Sequence, residues 1–580
     1  MTGARAVGER TASNRTAAAR TTAAALALAA ALAILWSLAA SAGAQPPGTT
    51  VRAAGVLVEP ERYDAPPPGR RLTAREVLRR AESVAKVARA RRANRRAYAR
   101  VYLTEDGNWQ YSLFTPPAKG DIERAEVAQV LVDDRSERVT EAWTGVQVEW
   151  PMARGYPGAF GRSANAPWVW VGLCILFMLP FLRPPLRLLH LDLAVLLAFS
   201  VSYAFFGAAN IGVSVPSAYP LLGYLLVRML VVAARPRRPP SALLVGPSFL
   251  LLGIVFLVGF RVVLNVVDGN VIDVGYSGVI GADRISAGGP LYDAFPPDDA
   301  RGDTYGPVAY AAYVPFEATW PWHGTWDDLP AAHAAAVVFD LGSALLLFLL
   351  GRRLHGRELG LLLAYLWMTY PFTLLVANSS ANDSLVTLLI LAALLAAARP
   401  VARGTLVALA GLTKFAPLAL APLFAAFGSR GRNGEPRSLV ASAALTLAAL
   451  AVVTALILAP VDIDVFWRRT LGFQQDRDSP FSIWGYYDLP SALQTAAQAL
   501  VVLLAVTVAF VPRRRDVATL AALAAAVLIA LQLTVDHWFY LYLVWFAPLV
   551  WVATLTPESG EGSARSNPPA RVASSGSALR

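Results

Sequence analysis

Two acidic residues at the head of a long polar segment are the first candidates for chemistry. Asp268 and Asp273 follow an apolar run, where the segment Val267–Pro330 interrupts a largely apolar chain. A carboxylate at the boundary between water and hydrocarbon can accept a proton from a hydroxyl group as that oxygen attacks. A second acid nearby raises the pKa of the first. The alternative is that both are solvated acids at the end of a helix.

The same segment carries further groups that suit a polar substrate. Asp283 and Arg284 follow within it, and Tyr305 lies in the turn-rich stretch Gly302–Pro307. Tyr305 and the aromatic residues that come after it could form a wall on which a sugar ring stacks. Aromatic residues at a membrane interface are more commonly belt residues that anchor the protein among lipid headgroups.

A short polar turn between two apolar runs contains Asn382 and Asp383. These side chains either cap the next helix or form a polar floor beneath the long segment. Both interpretations fit the sequence.

A second polar loop and a late histidine supply candidate anion ligands. Arg468, Arg469 and Arg477 lie in this loop, and His537 follows near the end of the chain. A guanidinium group suits a phosphate, and His537 could donate to the same anion. Arg477 could instead form a surface ion pair with Asp478, which would stabilise the fold by only about 0–1 kcal/mol.

Charged residues also occur within apolar runs, among them Arg228, Asp340 and Lys414. Such charges are costly in a membrane and are usually functional or paired. Arg228 is near enough to the expected cytoplasmic edge to reach water. Asp340 could serve packing through a buried hydrogen bond.

The composition is that of a polytopic membrane protein. The chain has 580 residues, of which 56% are hydrophobic and 16% charged, with a mean hydropathy of +0.46. The net charge of +11 does not indicate nucleic acid, because the arginines gather in short loops as membrane topology requires. The single cysteine, Cys174, excludes an intrachain disulfide. Abundant Ala and Arg with little Lys are typical of GC-rich bacteria, so we expect the plasma membrane of a bacterium.

The first 165 residues are expected to form two units. Residues 1–47 would be a cytoplasmic arm and signal anchor, although Ala42-Gly43-Ala44 also resembles a signal-peptidase site. Residues 48–165 would be a small extracytoplasmic α+β domain. Thr73 and Glu76 have capping-box spacing, which predicts a helix to about Arg96. Its many arginines form either a solvated face or a surface for anionic headgroups.

Strand-like stretches follow this helix and predict a small antiparallel sheet. They are Tyr98–Thr104, Asn108–Phe114, Val127–Val132 and Val139–Trp150.

Apolar runs after residue 165 predict about twelve membrane spans, counting the anchor. We place them near 167–182, 191–211, 217–234, 241–266, 331–350, 359–377, 385–398, 439–460, 491–511, 517–535 and 538–555. Arginine clusters in alternate loops assign those loops to the cytoplasm. The segments 267–330, 378–384, 461–490 and around 536–537 are then outside. Residues 166–240 would be accessory helices, 241–556 the membrane core, and 557–580 a disordered cytoplasmic tail.

The run Thr405–Gly428 has basic loops on both sides, so a single crossing would violate this topology. Lys414 and Pro417 interrupt it. We therefore predict a re-entrant hairpin of two short half-helices with Lys414 near the bend, shielded by other protein.

Several of these motifs together resemble known families. Asp273-Val274-Gly275-Tyr276, Asn382-Asp383 and Gly411–Pro417 resemble the GT-C superfamily of membrane glycosyltransferases, and most of all the polyprenyl-phosphate-mannose-dependent family 87. The hairpin around Asp133–Val139 resembles PepSY-like domains, although Glu137 stands where that family often has glycine.

The GT-C resemblance implies a polyprenyl-phosphate sugar as donor, inversion at the anomeric carbon, and Asp273 as catalytic base. The expected function is transfer of a hexose, with mannose as the family's sugar, to a lipid or glycan acceptor on the extracytoplasmic face. Metal use is left open, because the segment lacks the Asp-Glu pair of some relatives. The alternatives are a transporter or lipid flippase, which would use Asp340 and Lys414, and a membrane-anchored interaction scaffold.

Overall fold

The computed structural model describes residues 57–104, 106–116, 125–155, 161–183, 185–235, 243–428, 438–475, 479–511 and 516–557. The expected arm and anchor at 1–47, all of the expected tail after residue 557, and Arg477 with Asp478 lie outside these residues.

The N-terminal domain has helices on an antiparallel sheet, as the sequence predicts. The predicted capping box is present, because Thr73 Oγ1 accepts from the Glu76 backbone N–H while the Glu76 carboxylate accepts from that of Thr73. The predicted single helix is wrong, since extended backbone at Val84 divides it into two. These are α1 (Ala74–Ser83) and α2 (Ala85–Ala93).

The sheet has four strands in the order β1-β2-β3-β4. They are β1 (Tyr98–Leu103), β2 (Trp109–Phe114), β3 (Glu126–Val132) and β4 (Val139–Thr144). The fourth strand ends six residues before its predicted end at Trp150, because Gly145, at φ 58°, turns the chain into the short helix α3 (Val146–Glu149). Glu137 has φ 57°, a conformation that glycine adopts more easily. The PepSY-like resemblance stays a prediction.

Four apolar helices lead to the long polar segment. They are α4 (Pro167–Met178), α5 (Leu188–Gly207), α6 (Ile211–Ala234) and α7 (Pro247–Asp268). Proline at the first position suits α4 and α7, because that N–H would have no partner within the helix.

The polar segment folds over one end of the bundle in short helical pieces. It contains α8 (Asp273–Ser286), the single turns Pro297–Asp299 and Gly302–Thr304, α9 (Pro307–Ala311) and α10 (Val314–Glu317).

The central helices include one bent pair and the predicted hairpin. The chain continues with α11 (Pro330–His355), α12 (Arg357–Thr369), α13 (Pro371–Asn378), α14 (Asp383–Leu395), α15 (Pro400–Gly411), the turn Ala416–Leu420 and α16 (Ala421–Ala425). The predicted span 359–377 is bent by 60° at Tyr370, where Pro371 begins a new helix. Residues 412–415 join the two arms of a helical hairpin, in which Arg403 donates to the Ala425 carbonyl, and Lys414 lies near the bend as predicted. That this hairpin is re-entrant in a membrane stays a prediction.

The last part of the chain is again mainly helical. Its elements are α17 (Leu439–Leu458), α18 (Ile463–Trp467), the π-helical turn Arg468–Gly472, α19 (Phe473–Gln475), α20 (Ile483–Tyr486), α21 (Ser491–Thr507), α22 (Val517–Gln532), the turn Tyr540–Tyr542 and α23 (Leu543–Leu555).

The apolar surface of the bundle is what a membrane protein requires. Within the described residues, five helices are long and apolar enough to cross a membrane, or six if α12 and α13 form one bent span. Shorter apolar helices accompany them, and the count of about twelve spans stays a prediction. Large side chains such as Phe256, Val440 and Leu503 are exposed on α7, α17 and α21. An exposed apolar face of this extent favours contact with lipid.

Loops that the arginine pattern assigns to one side of the membrane contact each other. Three contacts join pairs of the expected outer loops, namely Asn270 with Asn378, Asp303 with Arg469, and Ser479 with His537. These contacts bring the expected outer loops together, while the membrane topology and the side on which they lie stay predictions.

Two of the charged groups noted in the sequence, Asp340 and Arg228, have partners of opposite charge. Arg261 forms two hydrogen bonds to Asp340, at 2.6 and 2.9 Å, so Asp340 serves a buried ion pair. Arg228 does not simply extend to water, as its position in the sequence indicated, because its Nε donates to buried Asp192 at 2.8 Å. Pairing removes most of the cost of an isolated charge in an apolar environment.

Gly306 tests how closely the polar segment contacts the hairpin. A Cβ atom at Gly306 would lie 2.0 Å from the carbonyl oxygen of Leu412. We expect Gly306→Ala to destabilise the protein by about 1–3 kcal/mol, measured as thermal unfolding in detergent. Gly259→Ala in α7 is the matched control, because its Cβ would meet no atom within 4 Å. Equal melting temperatures for the two variants would contradict this close contact.

Candidate active site

The polar segment and the tip of the re-entrant hairpin meet through their backbones. The N–H of Gly306 donates to the Thr413 carbonyl at 3.3 Å, and the N–H of Val308 donates to the Leu412 carbonyl at 3.0 Å. These bonds place Tyr305 beside Lys414, although the two residues are far apart in the sequence.

Lys414 forms a buried ion pair with Asp383. The distance from Lys414 Nζ to Asp383 Oδ1 is 2.7 Å, and the Trp545 indole N–H donates to the same oxygen at 3.0 Å. Asp383 is the first residue of α14, where the helix dipole favours negative charge. The N-terminus of α14, the hairpin tip and α23 therefore converge on one carboxylate.

Aromatic rings surround the Lys414 ammonium group. Its Nζ lies 5.4 Å from the ring centroid of Tyr305, 5.4 Å from that of Tyr542 and 5.7 Å from that of Trp545. Ring faces attract a cation, so this aromatic cage, defined as Tyr305, Tyr542 and Trp545, keeps a charged ammonium in a buried place.

Beside this ion pair, several buried polar atoms have no hydrogen-bond partner among the described residues. They are both polar side-chain atoms of Asn382, Asp383 Oδ2, Ser384 Oγ and the Tyr313 hydroxyl. Buried polar atoms are nearly always satisfied, and leaving one unpaired costs about 1–3 kcal/mol. We call this set the polar chamber. Its donors and acceptors suit a ligand rich in hydroxyl groups.

Asp273 lies at the surface next to the polar chamber. It is the first residue of α8 and its side chain is exposed. The backbone N–H of Ile272 donates to the Ser379 carbonyl at 3.2 Å, which fixes Asp273 near the turn that precedes Asn382. From the sequence we expected Asp273 to share a cavity with the cationic residues. Asp273 is exposed instead, so its position is more open than expected.

The other predicted acid, Asp268, has a different neighbour. Its Oδ2 accepts from the Ser163 backbone N–H at 2.8 Å. It therefore holds the chain that links the N-terminal domain to α4.

A buried acid that the sequence analysis did not single out lies close to Asp273. Asp299 accepts a hydrogen bond from Ser277 Oγ at 2.7 Å. Burial, with the charges of Asp273, Asp298 and Asp303, raises its pKa to about 8. This carboxyl group is thus mainly protonated at neutral pH and limits the negative charge around Asp273.

Arg469 is engaged by an acid. It forms an ion pair with buried Asp303, with Nε to Oδ2 at 2.7 Å, and Asp303 raises the pKa of its guanidinium group. The Arg469–Asp303 ion pair fixes the turn Gly302–Thr304, which precedes Tyr305. Arg468 beside it is exposed.

The remaining predicted residues are further from the ion pair. His537 stacks on Trp150, and its Nδ1 lies 3.0 Å from Ser479 Oγ. Asp283 and Arg284 lie in the last turn of α8, about 15 Å along the helix axis from Asp273. The structure thus brings together Tyr305, Asn382, Asp383 and Lys414, with Asp273 at the edge.

The comparison with family models identifies the central part of this site. Residues 304–535 match the model of glycosyltransferase family 87. The resemblance found in the sequence is therefore confirmed over that range, and it supports a membrane glycosyltransferase. The matched range includes Tyr305, Asn382, Asp383 and Lys414, whereas Asp273 and His537 lie outside it. No curated protein matches the chain.

Sequence reasoning missed several residues of the site, among them Tyr542, Trp545 and Asp299. The last predicted span gave no signal for the cage, because Tyr542 and Trp545 lie in a run of apolar and aromatic residues. Among the residues that the structure describes, no three His, Cys, Asp or Glu side chains gather as a metal site. Metal use stays open.

Asp299 gives a pH-dependent prediction for stability. Its pKa in the folded protein is raised from 3.8 to about 8, so the folded state holds a proton that the unfolded state has lost. Its contribution to stability is present below about pH 4 and is lost as the pH rises towards 8. We expect thermal stability in detergent to fall from pH 5 to pH 8, and to fall less steeply in Asp299→Asn. Identical pH profiles would contradict a protonated Asp299.

Proposed function

We propose that the protein transfers a hexose, with mannose as the first candidate, from a polyprenyl-phosphate donor to a hydroxyl group of an extracytoplasmic lipid or glycan. The observation that carries this proposal is the buried Lys414–Asp383 pair, which lies beside polar atoms without partners under the polar segment. A phosphate-linked sugar supplies the two features that this place suits, namely an anion and several hydroxyl groups.

Lys414 is the proposed ligand of the donor phosphate. The bond between the anomeric carbon and the phosphate oxygen breaks during transfer, so negative charge grows on the departing phosphate. A fixed ammonium group in a buried site stabilises such charge more strongly than water does. Exposed Arg468 is a second candidate, while Arg469 acts by holding Asp303.

The polar chamber is proposed to orient the sugar. Asn382 offers a donor and an acceptor, and Asp383 Oδ2 offers an acceptor. Burial raises the pKa of the Tyr313 hydroxyl, so this group stays a neutral donor. Hydroxyl groups of a sugar would satisfy these atoms and fix the anomeric carbon relative to Lys414.

Asp273 is the proposed base. The acceptor oxygen attacks the anomeric carbon, its proton passes to the Asp273 carboxylate, and the lipid phosphate leaves. One displacement of this kind inverts the configuration. Its exposure gives an acceptor access to Asp273.

The transporter alternative loses its main support. It needed Asp340 and Lys414 as charges at the centre of the membrane, and each has a separate buried partner, Arg261 and Asp383. A substrate would have to break the Asp340–Arg261 pair to use Asp340. The Lys414 ammonium has three N–H donors, so it can keep Asp383 as a partner and still donate to a phosphate, as the proposed transferase requires.

Loss of the base should abolish turnover without loss of the fold. We expect Asp273→Asn to reduce sugar transfer by about a hundredfold or more, measured with a labelled polyprenyl-phosphate sugar in membranes. Asp464→Asn, another exposed acid at the start of a short helix, is the matched control and should keep parental activity. A folded Asp273→Asn protein with the parental rate would remove Asp273 from this role.

Loss of the ammonium group should weaken phosphate binding. We expect the paired change Lys414→Met with Asp383→Asn to bind farnesyl phosphate at least about tenfold more weakly, measured by isothermal titration calorimetry in detergent. The paired change avoids the unpaired buried carboxylate that Lys414→Met alone would leave. Lys414→Arg keeps the charge and should retain part of the affinity. Parental binding by the paired variant would exclude Lys414 as the phosphate ligand.

A further inference from the structure

The N-terminal domain contacts the membrane core at a histidine of the outer end. Trp150, just after α3, stacks on His537 with ring centroids 6.3 Å apart and an interplanar angle of 27°. The same ring meets Phe481 edge-on at 5.6 Å. His537 also contacts Ser479 through Nδ1 at 3.0 Å. Trp150 therefore covers one face of the His537 ring.

Aromatic contacts continue from His537 to the aromatic cage. The His537 ring lies 6.3 Å from that of Tyr542, and Tyr542 stacks on Trp545 at 4.5 Å. Tyr542 and Trp545 are two of the three rings around Lys414. A packed series of rings thus joins the N-terminal domain to the Lys414–Asp383 pair.

The segment that carries Trp150 is attached on both sides. Arg154 donates to the Gln129 side chain on β3 at 2.7 Å and to the Gln147 carbonyl at 2.8 Å. Gln147 Nε2 donates to the Ala209 carbonyl between α5 and α6 at 3.0 Å. A Cβ atom at Gly155 would lie 2.2 Å from the Ala209 backbone nitrogen, so the chain approaches the core closely there. These contacts attach the segment that carries Trp150 to both the N-terminal domain and the membrane core.

We propose that Trp150 is a positioning residue of the donor-phosphate site. It holds His537 and Tyr542 in place, and these residues hold the cage in which the Lys414 ammonium is presented. This inference rests on the proposed function, in which Lys414 binds the phosphate. It assigns the N-terminal domain a role in donor affinity, which a scaffold for a separate partner would not have.

The test measures binding of farnesyl phosphate to the full chain in detergent by isothermal titration calorimetry. Trp150→Ala should weaken binding about fivefold, within the range of coupling through packed side chains. Trp150→Phe keeps an aromatic ring and should restore most of the affinity. In transfer assays, Trp150→Ala should raise KM for the lipid donor and leave kcat near the parental value. Trp168→Ala is the control, because that side chain is also a tryptophan near the outer end but is exposed.

A double change separates positioning from general damage. In the Lys414→Met/Asp383→Asn background, Trp150→Ala should produce no further loss of binding, because its effect passes through the cage. An equal loss in both backgrounds would overturn the inference, as would parental affinity of Trp150→Ala. If the Lys414 variants bind weakly while Trp150→Ala binds normally, the inference alone fails. If the Lys414 variants bind normally, the proposed phosphate site fails and the inference with it.

Discussion

The ion pair between Lys414 and Asp383 is the interaction on which the arrangement of the outer end depends. An isolated ammonium or carboxylate in an apolar interior is strongly disfavoured, so each ion requires the other. The pair fixes the bend of the re-entrant hairpin to the N-terminus of α14, while Trp545 and the other cage rings complete its surroundings. The polar segment then bonds to the hairpin tip through Gly306 and Val308. The positions of Tyr305 and Tyr313 follow from that attachment.

Pairing of buried charges explains much of the fold beyond this site. Asp340 with Arg261 joins α11 to α7, and Asp192 with Arg228 joins α5 to α6. The sequence could flag Asp340, Arg228 and Lys414, because a charge in an apolar run is conspicuous. It could not name their partners, because the partners lie between 31 and 79 residues away and are set by how the helices pack.

Hydropathy and arginine placement predicted the helices and the hairpin well, because both follow from the cost of exposing polar groups to lipid. The break at Val84 and the end of β4 at Gly145 were missed, since they are decided by local backbone conformation within a single residue. Tertiary packing determines which partners the candidate site residues have. Arg469 suited a phosphate by type, but the fold gives it Asp303 as a partner. Asp299 was not singled out in the sequence, because only its burial next to Gly302 distinguishes it from the other acids of the polar segment.

The two candidate chemical groups occupy environments that suit opposite tasks. Stabilising a leaving phosphate benefits from burial, because electrostatic attraction is stronger where water is excluded, and Lys414 is buried. Removing a proton from an acceptor requires that a large lipid or glycan can reach the carboxylate, and Asp273 is exposed. The neutral carboxyl of Asp299 suits both roles. A second negative charge there would raise the pKa of the base and would compete with the phosphate for cations. The proposed roles therefore differ as the two environments do: the buried cation for the phosphate and the accessible acid for the acceptor.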